Sequence, residues 1–162
     1  MSKMQSLYTG SAGQAAVMSE FLMRGYNVAV PEVDRGDDLF VVEDLSGNFY
    51  RIQVKTAVGR TLKKRGYTAQ FNIPRLQLEL PQTPDLYFVL LTRYRQRWQD
   101  FVVIERNRLW TEHEQYGVGT SHGEARRYVK LHLSFEDTQL VCSKRDFQCY
   151  RNDFSHWPEV RH

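Results

Sequence analysis

The sequence predicts an α/β fold in which a central mixed β-sheet is flanked by helices, and three observations carry that expectation. An amphipathic stretch over residues 13–24 is followed by three short β-rich runs. The second of these, Leu39-Phe40-Val41-Val42, is apolar on both faces. A later run, Leu86-Tyr87-Phe88-Val89-Leu90-Leu91, is apolar almost throughout and of strand length. A strand apolar on both faces belongs inside a sheet covered on both sides, here by helices. The order helix, three strands, helix, strand over residues 1–92 is that of a layered α/β sandwich.

Each element has its own local cause. In residues 13–24, Ala15, Ala16, Met18, Phe21 and Leu22 supply an apolar face, Ser11 is a candidate N-cap and Gly25 a candidate terminator. Residues 27–30 read as a short strand stopped by Pro31. Residues 38–43 and 49–57 read as a second and third strand. The turn residues Leu45-Ser46-Gly47-Asn48 would join them as an antiparallel hairpin. A basic loop over residues 59–66 precedes a strand over 67–73, and Pro74 opens a short helix over 74–80. Residues 86–92 form a buried strand. Beyond it come a strand over 100–104, a helix over 106–116 and an alternating strand over 128–133. The segment Phe154-Ser155-His156-Trp157 matches no template.

Composition narrows the class. A chain of 162 residues holds one domain with a sizeable core, read here as 1–162, with its principal core in 10–92 and a β-rich and helical elaboration over 93–162. With 41% hydrophobic and 25% charged residues it is a globular rather than a disordered sequence. Its longest apolar runs are too short to span a membrane, and the amino-terminal residues lack the apolar region of a signal peptide, so a cytoplasmic setting is expected. Cys142 and Cys149 read as reduced thiols, and with His156 they fall short of a zinc ligand set. A net charge of +3 permits nucleic-acid binding without requiring it.

The chemistry concentrates in Gly36-Asp37-Asp38-Leu39-Phe40-Val41-Val42 and Tyr50-Arg51-Ile52-Gln53-Val54-Lys55-Thr56. Alternate residues of a strand share a face, so Gln53 and Lys55 project together while Val54 points away. Fifteen residues separate Asp38 from Gln53, a spacing suited to a hairpin that brings them side by side. The three would form a compact site for a divalent cation and a phosphate. Asp-Asp after Gly equally serves as plain turn chemistry, and Gln-x-Lys equally serves as a solvated face.

A helix, a strand opening with Asp and a hairpin partner carrying x-x-Lys together resemble the PD-(D/E)XK nuclease superfamily, over roughly residues 10–92. Gly13-Gln14 before the helix, Arg24-Gly25-Tyr26-Asn27-Val28 and Ile52-Gln53-Val54-Lys55-Thr56 resemble Holliday-junction resolvase-like enzymes. The Gln-x-Lys version is similar to that of homing endonucleases encoded in group I introns. The resemblance implies a restriction-endonuclease-like fold and a metal-dependent DNA endonuclease that hydrolyses phosphodiester bonds with Mg2+ or Mn2+. Asp38, Gln53 and Lys55 would be catalytic, with Asp38, Gln53 and Gln14 at the metal. Lys55 would orient the attacking water and stabilise charge on the phosphate. The superfamily usually carries Glu where Gln14 and Gln53 stand, and each difference removes one negative charge. The resemblance also implies DNA as partner and a homo-oligomer, dimer or tetramer, because cutting both strands needs two sites.

Other polar residues have simpler structural readings. Glu20 points about 120° away from Gln14 around the helix and reads as an i, i+4 ion pair with Arg24. Asp37 competes with Asp38, but Asp38 directly precedes the apolar run and Asp37 reads as a turn cap. Arg60, Lys63, Lys64 and Arg65 follow the Lys55 strand, and Arg93, Arg95 and Arg97 follow the buried strand. Both clusters are candidate DNA-backbone contacts. A third cluster comprises Arg126, Arg127 and Lys130. His113 lacks the second histidine of a zinc-protease motif. The alternative function is a nuclease-fold module without cleavage that holds DNA or a protein partner.

Overall fold

The computed structural model describes residues 3–33, 35–62 and 65–161. The chain runs α1 (Lys3–Met23), β1 (Asn27–Ala29), β2 (Leu39–Val42), β3 (Phe49–Val58), β4 (Arg60–Thr61), β5 (Tyr67–Pro74) and α2 (Arg75–Glu79). It continues through β6 (Leu86–Tyr94), β7 (Arg97–Glu105), α3 (Arg106–Tyr116), β8 (Thr120–His122), β9 (Tyr128–Phe135), β10 (Leu140–Cys142) and β11 (Arg145–Asp146).

The central sheet is five-stranded and mixed, ordered β1-β2-β3-β6-β7, with β3 and β6 parallel and the remaining pairs antiparallel. The hairpin of β2 and β3 forms as expected, in the register Leu39↔Ile52 and Phe40↔Arg51. A parallel pair needs a crossover, and β4, β5 and α2 provide it. A second, antiparallel sheet is ordered β11-β10-β9-β5-β4, with β8 on β9. Its central pair, β5 with β9, joins Tyr67 to Phe135 and Ile73 to Val129.

Alternation along the strands of the central sheet sorts their side chains into two cores. Ile52, Val54, Val89, Leu91 and Val103 face α1, where they meet Val17, Phe21, Phe154 and Trp157. Leu86, Phe88, Leu90, Val102 and Ile104 face the other way, onto Phe71, Ile73, Leu131 and Leu133 of the second sheet and Leu78 and Leu109 of α2 and α3. Each such side chain contributes about 1.5–3 kcal/mol when fully buried. One face of the central sheet therefore has a helix over it. On the other, the second sheet shares the cover with α2 and α3. Phe40 and Val42 of β2 are only half-buried, because this strand lies next to the edge.

Three local readings change. The first helix begins at Lys3, so Ser11 is an exposed residue within it and not an N-cap. Its buried stripe is Thr9, Gly13, Val17 and Phe21, at i, i+4 spacing, while Ala15 and Leu22 are exposed. The stripe is narrow at Gly13 because the helix lies against β3: a Cβ there would sit 2.0 Å from Thr56 Cγ2. The third is the tail, which closes the α1 core through the wholly buried Trp157, with ring centroids 5.2 Å from Phe21 and 4.8 Å from Tyr87. The helix ends as the sequence indicates. Gly25, at φ +88°, lets its N–H reach Leu22 O and the Tyr26 N–H reach Phe21 O, which together form a Schellman cap. No helix among the described residues is long and apolar enough to cross a membrane.

Candidate functional site

Hairpin register carries Asp38 to Gln53. Asp38 immediately precedes β2 and its N–H donates to Ile52 O at 2.9 Å, which holds its side chain over the start of the Gln53-x-Lys55 row. The carboxylate Oδ2 accepts from the Val54 N–H at 2.7 Å and from Gln53 Nε2. Gln53 is 4% exposed, and its Nε2 also lies 3.3 Å from the Val54 carbonyl. Lys55 is half-buried on the same face of β3, two residues on. Asp38 and Gln53 are thus brought together by the hairpin, with Lys55 two residues along the same face of β3.

Gln14 reaches the same point from the opposite side of the sheet. Its Nε2 donates to the Asp38 main-chain carbonyl at 2.9 Å, so it steadies the backbone that carries the carboxylate. Gly13 allows this contact by letting α1 approach β3. Glu20 forms the expected ion pair with Arg24, Nη2 to Oε1 at 2.8 Å.

Asp37 does not cap the turn. It is 4% exposed and its Oδ2 accepts from Arg51 Nη1 at 2.7 Å, with Arg51 also donating to Gln82 Oε1 at 3.2 Å. Arg51 lies two residues before Gln53 on the same face of β3 and extends the polar row to Arg51-Gln53-Lys55. Sequence pattern alone does not find this pair, since Arg51 is read as an ordinary strand residue until Asp37 is placed beside it. Gln77 of α2 is likewise new to the site. Its Nε2 donates to Gln53 Oε1 at 3.2 Å, and its own Oε1 is buried without a hydrogen-bond partner among the described residues. A groove lined by Arg35, Arg51, Leu76, Gln77 and Gln82 runs alongside.

The donor set is all oxygen: the Asp38 carboxylate, the Gln53 carboxamide and the Val54 carbonyl. Among the described residues no group of three or more His, Cys, Asp or Glu is placed to hold a metal by itself. One carboxylate with neutral oxygens fits a hard cation such as Mg2+, which keeps most of its waters and takes phosphate oxygens from a substrate. It does not fit a closed cage for a soft metal.

The basic residues gather at one end. The Gly59 N–H donates to Arg93 O at 2.8 Å, and the hydroxyls of Thr61 and Tyr94 lie 2.9 Å apart, which ties β4 to the tip of the β6–β7 hairpin. Arg95 and Gln96 both have positive φ and form the two-residue turn at that tip. Arg60, Arg95 and Arg97 are exposed and Arg93 is half-buried. Among the described residues no carboxylate lies within ion-pair distance of these four, whereas Arg65 lies 4.0 Å from Asp137. Lys63 and Lys64 lie outside the described residues. At about 3.3 Å per residue, the Val58 end of β3 is roughly 10 Å from Lys55.

Residues 4–79 match the PD-(D/E)XK endonuclease family, a span that holds Gln14, Asp38, Gln53, Lys55 and Gln77. Among solved structures, the chain is similar to a bacterial homing endonuclease, I-Ssp6803I. The TM-score is 0.52 and the identity 20%, covering 88% of this chain and 83% of that one. Likeness at that identity concerns the fold alone. No curated protein sequence matches the chain.

Proposed function

With a PD-(D/E)XK-like nuclease fold as the premise, we propose that this chain is a metal-dependent DNA endonuclease acting through Asp38, Gln53 and Lys55. The observation that supports it is the closure of a single carboxylate against the Gln53 carboxamide and the Val54 N–H, with Lys55 next along the same face. That arrangement sets one negative charge, neutral oxygens and a lysine at neighbouring positions of one hairpin.

Mg2+ or Mn2+, when bound, supplies Lewis-acid polarisation of the phosphate and a bound water of lowered pKa. Asp38 and Gln53 would hold it, with Gln14 fixing the Asp38 backbone. Lys55 donates to the attacking water or to a non-bridging phosphate oxygen, and so offsets the charge that builds as the P–O bond breaks. The arginines at 60, 93, 95 and 97, with Arg65, would bind the duplex backbone on either side without reading its sequence. Cutting both strands takes two copies of the site, so a dimer or tetramer is the working form.

One observation favours a second reading, a module that binds without cutting: the Gln53 NH2 group, not its oxygen, faces Asp38. Plasmid, junction and single-stranded DNA incubated with Mg2+ or Mn2+ separate the two. Cleavage by the wild-type chain that Asp38→Ala and Lys55→Ala abolish establishes the enzyme. Binding with no cleavage in either metal establishes the module.

A further inference from the structure

The carboxamides of Gln53 and Gln77 form a pair with one acceptor left over. Gln77 Nε2 donates to Gln53 Oε1 at 3.2 Å, Gln53 Nε2 donates to Asp38 Oδ2, and Gln77 Oε1 is buried with no donor among the described residues. Gly36 makes the space: a Cβ there would come within 2.7 Å of Gln77 Nε2, and its φ is +95°. A buried acceptor with no donor is unfavourable, so its persistence at a polar site asks for an explanation.

A half-turn of a carboxamide about its terminal torsion keeps its shape and exchanges donor with acceptor. If both side chains turn, the Gln53 NH2 donates to Gln77 Oε1, and the Gln77 NH2 takes the buried place that oxygen held. Gln53 Oε1 then faces the Asp38 carboxylate. Two oxygens face to face repel one another unless a cation lies between them. The arrangement in the structure instead closes that gap with a hydrogen bond.

We infer that Gln77 is a positioning residue for the cation site, an inference that rests on Asp38 and Gln53 being that site. The paired carboxamides are a two-state latch. Without a cation it is shut by the hydrogen bond from Gln53 to Asp38. With a hard divalent cation bound it would be turned, Gln77 Oε1 serving as the acceptor that holds the Gln53 NH2 away. The cation favours the second state because only there does it gain the Gln53 oxygen. A glutamate at position 53 would need no such partner, since both its oxygens accept. A glutamine does, because one end must always donate.

Nitrogen-15 NMR of the whole chain reads the latch directly, and Mn2+ titration calorimetry reads its consequence. In the wild type without cation, the Gln53 side-chain NH2 protons lie against the Val54 amide; Mg2+ removes that contact and shifts the NH2 resonances. Gln77→Met, which neither donates nor accepts comparably, weakens Mn2+ binding about fivefold, the equivalent of one hydrogen bond of about 1 kcal/mol. Gln77→Glu, which only accepts, tightens it. A role in packing alone would weaken binding in both variants, and unchanged binding in both would overturn the inference while leaving the cation site intact. Wild-type protein that binds no Mn2+ at Asp38 overturns the site itself and the latch with it. If Gln77→Met fails to fold, as its NMR dispersion will show, Gln77→Glu decides: tighter binding upholds the latch, and equal or weaker binding ends it.

Discussion

In the proposed cation site, glutamine at position 53 would set the strength of binding. Its neutral amide lets Asp38 be satisfied by hydrogen bonds within the chain, from Gln53 and from the Val54 N–H at 2.7 Å. A second carboxylate there would repel Asp38 in the absence of a cation and attract one more strongly in its presence. Gln53→Glu should therefore lower the melting temperature in chelator yet tighten Mn2+ binding by about tenfold, near 1.4 kcal/mol. Melting curves with and without Mn2+ check both halves, since a ligand that binds only the folded state raises its stability. Away from the site, Asp85 supplies the acid-sensitive contact. Burial pushes its carboxyl up, but hydrogen bonds from Arg106, the Leu86 N–H and the Gln82 N–H together bring it below its ordinary value. A group depressed in the folded state stabilises the fold fully above its unfolded pKa, about 3.9, and loses that contribution as pH falls through the lower folded value. Asp85→Asn should flatten the acid limb of the stability profile below pH 4, read by denaturant unfolding at stepped pH.

At the scale of elements, α1 braces the hairpin that carries Asp38 and Gln53. Gly13 lets Gln14 reach the Asp38 carbonyl, whereas Gly10 faces open space with nothing within 4 Å of an added Cβ. Alanine is favoured over glycine in a helix by about 1 kcal/mol, and overpacking costs about 1–3 kcal/mol. Gly10→Ala should then stabilise the protein, and Gly13→Ala should destabilise it, since 2.0 Å to Thr56 Cγ2 exceeds what propensity offsets. Thermal unfolding will show the opposite signs, at roughly 2–4 °C per kcal/mol for a chain of this size. The β2–β3 hairpin was legible in the sequence because its cause is local: period-two alternation, turn residues and a short spacing. The start of α1 was not, because residues 3–12 carry only a weak apolar period. The strands β4, β8, β10 and β11 are two or three residues long and take their form from partners. The second sheet was hidden for a related reason, as it pairs distant residues such as Tyr67 and Phe135. The same division runs through the site. Asp38, Gln53 and Lys55 lie on one hairpin and could be read there. Gln77 and the Asp37–Arg51 pair depend on how the crossover folds back.

For the whole molecule, charge placement matters more than the net value of +3. Five arginines, at 60, 65, 93, 95 and 97, stand at the end where β3 and β6 finish, beside the site and not over it. If they carry the DNA backbone, binding weakens with salt, and replacing Arg93, Arg95 and Arg97 by alanine should reduce the slope of log affinity against log salt by up to roughly 0.9 per arginine. Fluorescence anisotropy on one duplex at several salt concentrations measures it, and the loss should be equal for unrelated sequences.

If Asp38 and Gln53 build a catalytic site, Lys55 acts in its chemistry. Single-turnover cleavage of duplex DNA in Mg2+, with binding measured alongside, tests this most directly. Lys55→Ala should lower the cleavage rate by at least about a hundredfold and leave duplex affinity within about threefold, as loss of one phosphate contact among many allows. A Lys55→Ala protein that cuts as fast as the wild type, or a wild-type chain that binds the duplex and never cuts it, would contradict the account.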